Sequence, residues 1–218
     1  MQKLIVFSGL DGAGKSTQIE LLQAEFQKRG VPVTYIWSRG GYTPIFNALK
    51  SIARRLSSRR LVPASGHSEQ RTKRFARPMV QKIWLVIAIL DLWVTYAIWL
   101  RWLMLSGNAI ICDRYIRDTQ IDFRLNFPDL KFERWLFWKL LVASTPKANA
   151  AFLLLIPVEE SMRRSNLKAE PFPDSRETLD SRLRAYQKLV SEEHWQVLDG
   201  CQPIEELSML IHKKVFAE

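Results

Sequence analysis

The chain has 218 residues, 47% of them hydrophobic and 25% charged, with a formal net charge of +10. These are ordinary globular values for one domain with a real core, and they exclude collagen-like, low-complexity and disordered classes. Two cysteines, Cys112 and Cys201, are too few for a disulfide framework, and no Cys/His cluster has zinc spacing. The N-terminal apolar run is too short for a signal peptide and shows no cleavage site, so a cytoplasmic protein with reduced thiols is expected.

The elements follow in chain order. Lys3 to Ser8 reads as a short apolar strand ending in glycines, and Ser16 to Arg29 as a helix with Ile19, Leu22 and Phe26 on one face, stopped by Gly30. Val31 to Trp37 is a second strand, Pro44 to Leu56 a helix, and Arg60 to Gln70 a loop. Between residues 51 and 82 nine Lys/Arg face a single acid, Glu69. Such a basic insert suits an anionic membrane, a nucleic acid or a phosphorylated substrate, or is simply a solvated loop.

Gln81 to Leu105 is apolar and long enough to cross a bilayer, but Asp91 falls near its middle, where a charge costs about 2.5–3.5 kcal/mol. It reads as a core helix. Trp93, Trp99 and Trp102 leave peripheral membrane contact open. Asn108 to Cys112 is a third strand, apolar throughout. Phe132 to Leu141 is a helix, Ala150 to Ile156 a fourth strand, and Val158 to Leu167 a helix followed by Pro171 and Pro173. Leu179 to Ser191 is a helix, Trp195 to Asp199 a fifth strand, and Ile204 to Phe216 a last helix. Strands alternating with helices predict an α/β fold with a parallel sheet.

The first strand runs into Gly9-Leu10-Asp11-Gly12-Ala13-Gly14-Lys15-Ser16-Thr17, a full match to G-x-x-x-x-G-K-[ST] in the required strand–turn–helix context. Glycines let backbone N–H groups curl around phosphate oxygens, and the helix N-terminus adds partial positive charge. Lys15 suits the β- and γ-phosphates of ATP, and the Ser16 hydroxyl suits Mg²⁺.

With these residues in view, the chain resembles the thymidylate kinases. FSGLDGAGKSTQ is similar to their P-loop, NAIICDRY to their third strand with Asp113-Arg114-Tyr115, and WQVLDGCQPIEEL to their final strand; RRSNLK and SRLRAYQKL fall where that family keeps its lid and the following helix. The resemblance covers nearly the whole chain. It implies a three-layer P-loop NTPase fold with a five-stranded parallel sheet, helices on both faces and a short lid at about 159–178. It also implies one kinase domain over 1–218, with the basic insert at about 51–82.

The implied activity is transfer of the γ-phosphoryl of ATP, with Mg²⁺, to a nucleoside monophosphate, dTMP by default. Gly9, Asp11, Gly12, Ala13, Gly14, Lys15, Ser16 and Thr17 would bind the ATP phosphates. Lys15, Asp113, Arg114, Arg163 and Arg164 would carry the chemistry, with Lys168 beyond them, and Ser16 and Asp113 would hold the metal. Arg114 would grip the acceptor's phosphate and Asp11 approach its sugar. Gly12 stands where some members carry an arginine; those without it supply arginines from the lid, and Arg163 and Arg164 fit that type.

The acceptor side departs from the pattern. Aligned on Asp91, the base-stacking position is Ala88 and the base-reading arginine position is Leu92; Trp37 stands at a second arginine position, with Arg39 two residues on as its substitute. Asp91, Arg39 and Tyr115 complete the expected acceptor set. Asp118 and Asp122 lie four apart on one helical face, suited to sugar hydroxyls or merely an exposed acidic face. Two alternatives therefore stay open: a sugar- or lipid-linked phosphate acceptor at a membrane surface, and a nucleotide-binding module without turnover. A homodimer through the apolar helix is the other use for its tryptophans. Nucleic acid is disfavoured, because the basic run holds no stacking aromatic beyond Phe75.

Overall fold

A computed structural model describes residues 3–37, 78–168, 174–191 and 195–217. The helix expected at 44–56, the loop at 60–70, Arg39, most of the basic insert and residues 169–173 of the expected lid lie outside the described residues. The chain divides into two compact units, residues 1–38, 102–125 and 147–218 in the first and residues 39–101 and 126–146 in the second.

The first unit is built on one parallel sheet. Strands β1 (Lys3–Gly9), β2 (Val33–Trp37), β3 (Ala109–Asp113), β4 (Ala150–Leu155) and β5 (Gln196–Asp199) lie in the order β2-β3-β1-β4-β5. Every residue of β3, and all of β1 after Lys3, is buried, which explains their unbroken apolar sequence. Helices α1 (Lys15–Lys28), α3 (Ile116–Asn126), α5 (Val158–Leu167), α6 (Arg176–Val190) and α7 (Ile204–Phe216) complete the unit. Phe7 of β1 and Phe152 of β4 stack at 5.1 Å in its core. This is the expected α/β architecture of a P-loop kinase, with a five-stranded all-parallel sheet. Because β1 is flanked by β3 on one side and β4 on the other, successive connections diverge at its C-terminal end, the usual place for a ligand in such sheets.

The second unit holds most of α2, helical from Pro78 to Leu105 with a π-helical stretch at Val94–Trp99. It also holds the 3₁₀ turn Phe132–Arg134 and α4 (Leu136–Ser144). The single helix expected at 132–141 is thus a turn and a later helix, split at Trp135, whose backbone is extended. α4 packs on α2, Trp84 meets Phe127 at 5.3 Å, and the Arg101 guanidinium donates to the Ser144 carbonyl at 2.8 Å. The π stretch begins where the buried Thr95 hydroxyl donates to the Asp91 carbonyl at 2.9 Å, giving that carbonyl a competing partner within the helix.

Gly9 closes β1 with φ +137°, and a Cβ there would fall 2.1 Å from the Leu154 carbonyl oxygen of the neighbouring strand. A Gly9→Ala variant is expected to lose about 3 kcal/mol of stability or more, read as a lowered urea midpoint, since either the strand pair or the loop must move.

Candidate phosphate-binding site

The loop between β1 and α1 is shaped by backbone rather than by side chains. Gly12 (φ +76°) and Gly14 (φ +91°) take left-handed conformations that other residues rarely adopt, and Gly14 caps α1. The resulting turn leads its N–H groups into the helix N-terminus, a ready seat for a polyphosphate. Lys15 is buried at the first turn, and its ammonium donates to the carbonyls of Gly9 at 3.0 Å and Leu10 at 2.7 Å. Burial, with Arg114 nearby, lowers its pKa to about 8. Ser16 is exposed on the same turn, with Thr17 half-buried beside it.

Asp113 ends β3, in register with Phe7 of β1 and Trp37 of β2. Burial raises its pKa, against the pull of Lys15 and Arg114. Its Oδ2 accepts from the Tyr35 hydroxyl at 3.3 Å. Its Oδ1 is buried and has no hydrogen-bond partner among the described residues. An oxygen-donor carboxylate with one oxygen unpartnered among the described residues, together with the exposed hydroxyl of Ser16, is a donor set that fits Mg²⁺. Among the described residues there is no group of three or more His, Cys, Asp or Glu that could hold a metal by itself.

Arg114 is the centre of the site's buried charge. It is the one described non-glycine residue with positive φ (+73°), and its own N–H bonds the Phe7 carbonyl at 2.8 Å. That backbone turns the side chain back under the loop. The guanidinium, 5% exposed, forms an ion pair with Asp11 of the loop and lies 3.4 Å from the Tyr186 hydroxyl and 3.9 Å from Asp118.

The sequence leaves Asp118 and Asp122 open as sugar ligands or an exposed acidic face; the structure buries both. Asp118 accepts from the Ser8 hydroxyl (2.5 Å), the Tyr186 hydroxyl (2.6 Å) and the Tyr115 backbone N–H (2.9 Å). The last bond is the carboxylate half of a capping box at the start of α3, and it leaves Tyr115 itself buried. Asp122 pairs with Arg182 of α6, which also donates to Asp174 at 2.8 Å. Neither carboxylate has the exposure that a sugar-binding or solvated surface needs.

The two expected lid arginines stand apart in role. Arg163 is exposed and held bidentately by Glu160 at 2.7 Å and 2.7 Å. Arg164 donates to Glu160 at 2.6 Å and to the carbonyls of Gly12 at 3.1 Å and Gly200 at 3.0 Å. The neighbouring Ser161 hydroxyl adds a bond to the Asp11 carbonyl at 2.6 Å. Thus α5 clasps the back of the phosphate loop. A Cβ at Gly12 would lie 3.0 Å from the Arg164 Cβ, so the absence of a side chain at residue 12 and the presence of Arg164 are one arrangement. Gly200 was not signalled by the loop motif; a Cβ there would sit 2.7 Å from the Ala13 carbonyl. The remaining expected acceptor residue among those described, Asp91, is buried on α2, as are Ala88 and Leu92.

Fold and loop together define a P-loop nucleotide kinase architecture. No family model matches the chain. Over 216 residues it is 26% identical to a thymidylate kinase of Bartonella henselae, covering 95% of this chain and 92% of the relative. It is 27% identical over 206 residues to a thymidylate kinase of Herpetosiphon aurantiacus, covering 92% of this chain and 77% of that one. A third thymidylate kinase, from Neisseria meningitidis serogroup C, is 44% identical over 50 residues, 23% of this chain and 24% of its own. Along most of its length the chain is thus similar to thymidylate kinases, at 26–27% identity.

Removing the Tyr186 hydroxyl tests the buried cluster. Tyr186→Phe deprives Asp118 and Arg114 of a shared partner without opening a cavity, and is expected to cost about 1–3 kcal/mol in urea unfolding.

Proposed function

We propose that the protein transfers the γ-phosphoryl group of ATP to a nucleoside monophosphate, with dTMP as the default acceptor. The observation that carries this reading is the state of Lys15: a cation buried at the helix N-terminus whose bonds, among the described residues, go to loop carbonyls that a polyphosphate can replace. Gly9, Asp11, Gly12, Ala13, Gly14, Lys15, Ser16 and Thr17 would surround the ATP phosphates. Ser16 and Asp113, whose Oδ1 has no hydrogen-bond partner among the described residues, would hold Mg²⁺, which would supply positive charge to offset that of the phosphates.

Arg114 would present its fork to the acceptor's phosphate, kept in place by Asp11, with Tyr115 beside it. Asp91 and Arg39 would line the acceptor. Arg163, exposed and paired with the surface carboxylate of Glu160, would swing onto the transferring group, where positive charge is worth most in a site that excludes water. Arg164 would act with it while holding the loop. The enzyme would work where ATP and nucleotides are found, in the cytoplasm.

A second reading is favoured by one observation. The positions aligned with base stacking and base reading, Ala88 and Leu92, are fully buried apolar side chains. They offer thymine no polar partner, so a different phosphorylated acceptor, sugar- or lipid-linked, fits the same transfer chemistry.

A coupled ADP-release assay with ATP and Mg²⁺ against dTMP, dUMP, UMP, CMP, AMP and GMP separates them. Turnover selective for dTMP, falling by about 10²-fold or more in Lys15→Ala, is expected. Turnover with none of the nucleotides overturns the nucleoside monophosphate reading. The charge state of Lys15 gives an independent check. Its pKa near 8 leaves it partly deprotonated at pH 8 before ligand arrives, and phosphate oxygens favour the charged form. ATP binding at pH 8 is therefore expected to take up protons. Calorimetry in two buffers of different ionisation enthalpy measures this, and the uptake should vanish in Lys15→Ala.

A further inference from the structure

Strand β2 carries a tyrosine that no motif marks. In the parallel register of β2 and β3, Tyr35 stands beside Ile111 and Trp37 beside Asp113. Paired residues of parallel strands point the same way, and residues two apart on a strand share a face. Tyr35, Trp37, Ile111 and Asp113 therefore lie on one side of the sheet. β2 is its edge strand, and Tyr35 is 46% exposed there. The side chain runs along the sheet past one pair of residues, and its hydroxyl donates to Asp113 Oδ2 at 3.3 Å.

Asp113 itself is buried, and its Oδ1 has no hydrogen-bond partner among the described residues. An aspartate turns easily about its last bond, whose torsional wells are broad and two-fold. The end of β3 therefore sets where the carboxylate sits but not the plane it lies in. A donor on one oxygen sets that plane and leaves the other oxygen unpartnered. The nearby cations do not supply this bond: Lys15 donates to the Gly9 and Leu10 carbonyls, and Arg114 pairs with Asp11. Among the described residues, the Tyr35 hydroxyl is the donor that Asp113 has. At 3.3 Å the bond is long for a hydroxyl and a carboxylate, so it contributes direction more than stability.

We infer that Tyr35 is a positioning residue for Mg²⁺, its hydroxyl holding the Asp113 carboxylate in the orientation from which that residue binds the metal. The inference rests on the proposed role of Asp113 and holds for either acceptor reading. Removing a hydrogen-bond partner one step behind a metal ligand changes metal affinity by about 10–100-fold. A long bond at a half-exposed strand edge belongs at the low end of that range. The hydroxyl is bonded to Asp113 and not to the phosphate loop, so the loop's own hold on phosphate should not depend on it.

The test is the Mg²⁺ dependence with which the full chain binds a non-hydrolysable ATP analogue, followed by calorimetry in the parent, Tyr35→Phe and Asp113→Asn. Tyr35→Phe is expected to raise the Mg²⁺ concentration at half-maximal binding by about tenfold. Its affinity for the analogue in EDTA and its urea midpoint should stay as in the parent. Asp113→Asn should raise the Mg²⁺ requirement at least as far. A parent-like requirement in Tyr35→Phe, with Asp113→Asn impaired, overturns the inference and leaves the proposed function standing. So does a loss of affinity in Tyr35→Phe that is equally large in EDTA, the mark of a tyrosine that only supports the strand. If the parent shows no Mg²⁺ requirement, or Asp113→Asn keeps it unchanged, the metal role of Asp113 falls and the inference falls with it.

Discussion

A guanidinium can be buried only where carboxylates and hydroxyls replace the water it gives up, and that constraint organises the site. Arg114 sits 4% exposed between a loop carboxylate, Asp11, and a helix carboxylate, Asp118, with the Tyr186 hydroxyl touching both the arginine and Asp118. Each contact comes from a different element: the phosphate loop, α3 and α6, with Ser8 of β1 closing the group on Asp118. The loop therefore does not hold its shape alone. Its front is set by glycine backbones, one flank by Arg114 on Asp11, and its back by Ser161 and Arg164 on the carbonyls of Asp11 and Gly12. Under the proposed function, a loop held this way would spend little of a phosphate's binding energy on ordering itself.

Much of this architecture can be read from sequence because its signals are local. Strands buried on both faces are uniformly apolar, and the loop motif carries its own strand and helix. The helices Val158–Leu167 and Ile204–Phe216 match their expected ends, each preceded by a proline and opened by acidic residues. What escaped depends on distant partners. Asp118 and Asp122 have the spacing of a solvated helix face; only Tyr186 and Arg182, more than fifty residues later, make them interior. Nothing at Arg164 announces that its partners are backbone carbonyls at Gly12 and Gly200. A glycine at residue 12 reads as a missing arginine until the Arg164 Cβ is seen to occupy the space beside it.

Under the proposed function, ATP binding and acceptor choice make different physical demands, and the sequence keeps the residues for the first while altering those aligned with the second. Polyphosphate binding needs backbone N–H groups and a few fixed charges, which tolerate little change. Discrimination of a base needs polar partners at its edge, since an unpaired buried polar group is what rejects the wrong ligand. With Ala88 and Leu92 closed into an apolar interior, any base preference must come from residues other than those two. The same helix turns apolar side chains inward and outward along its length, with Asp91, Thr95 and the Tyr96 hydroxyl as its buried polar groups. A helix apolar on both sides is expected where both are covered.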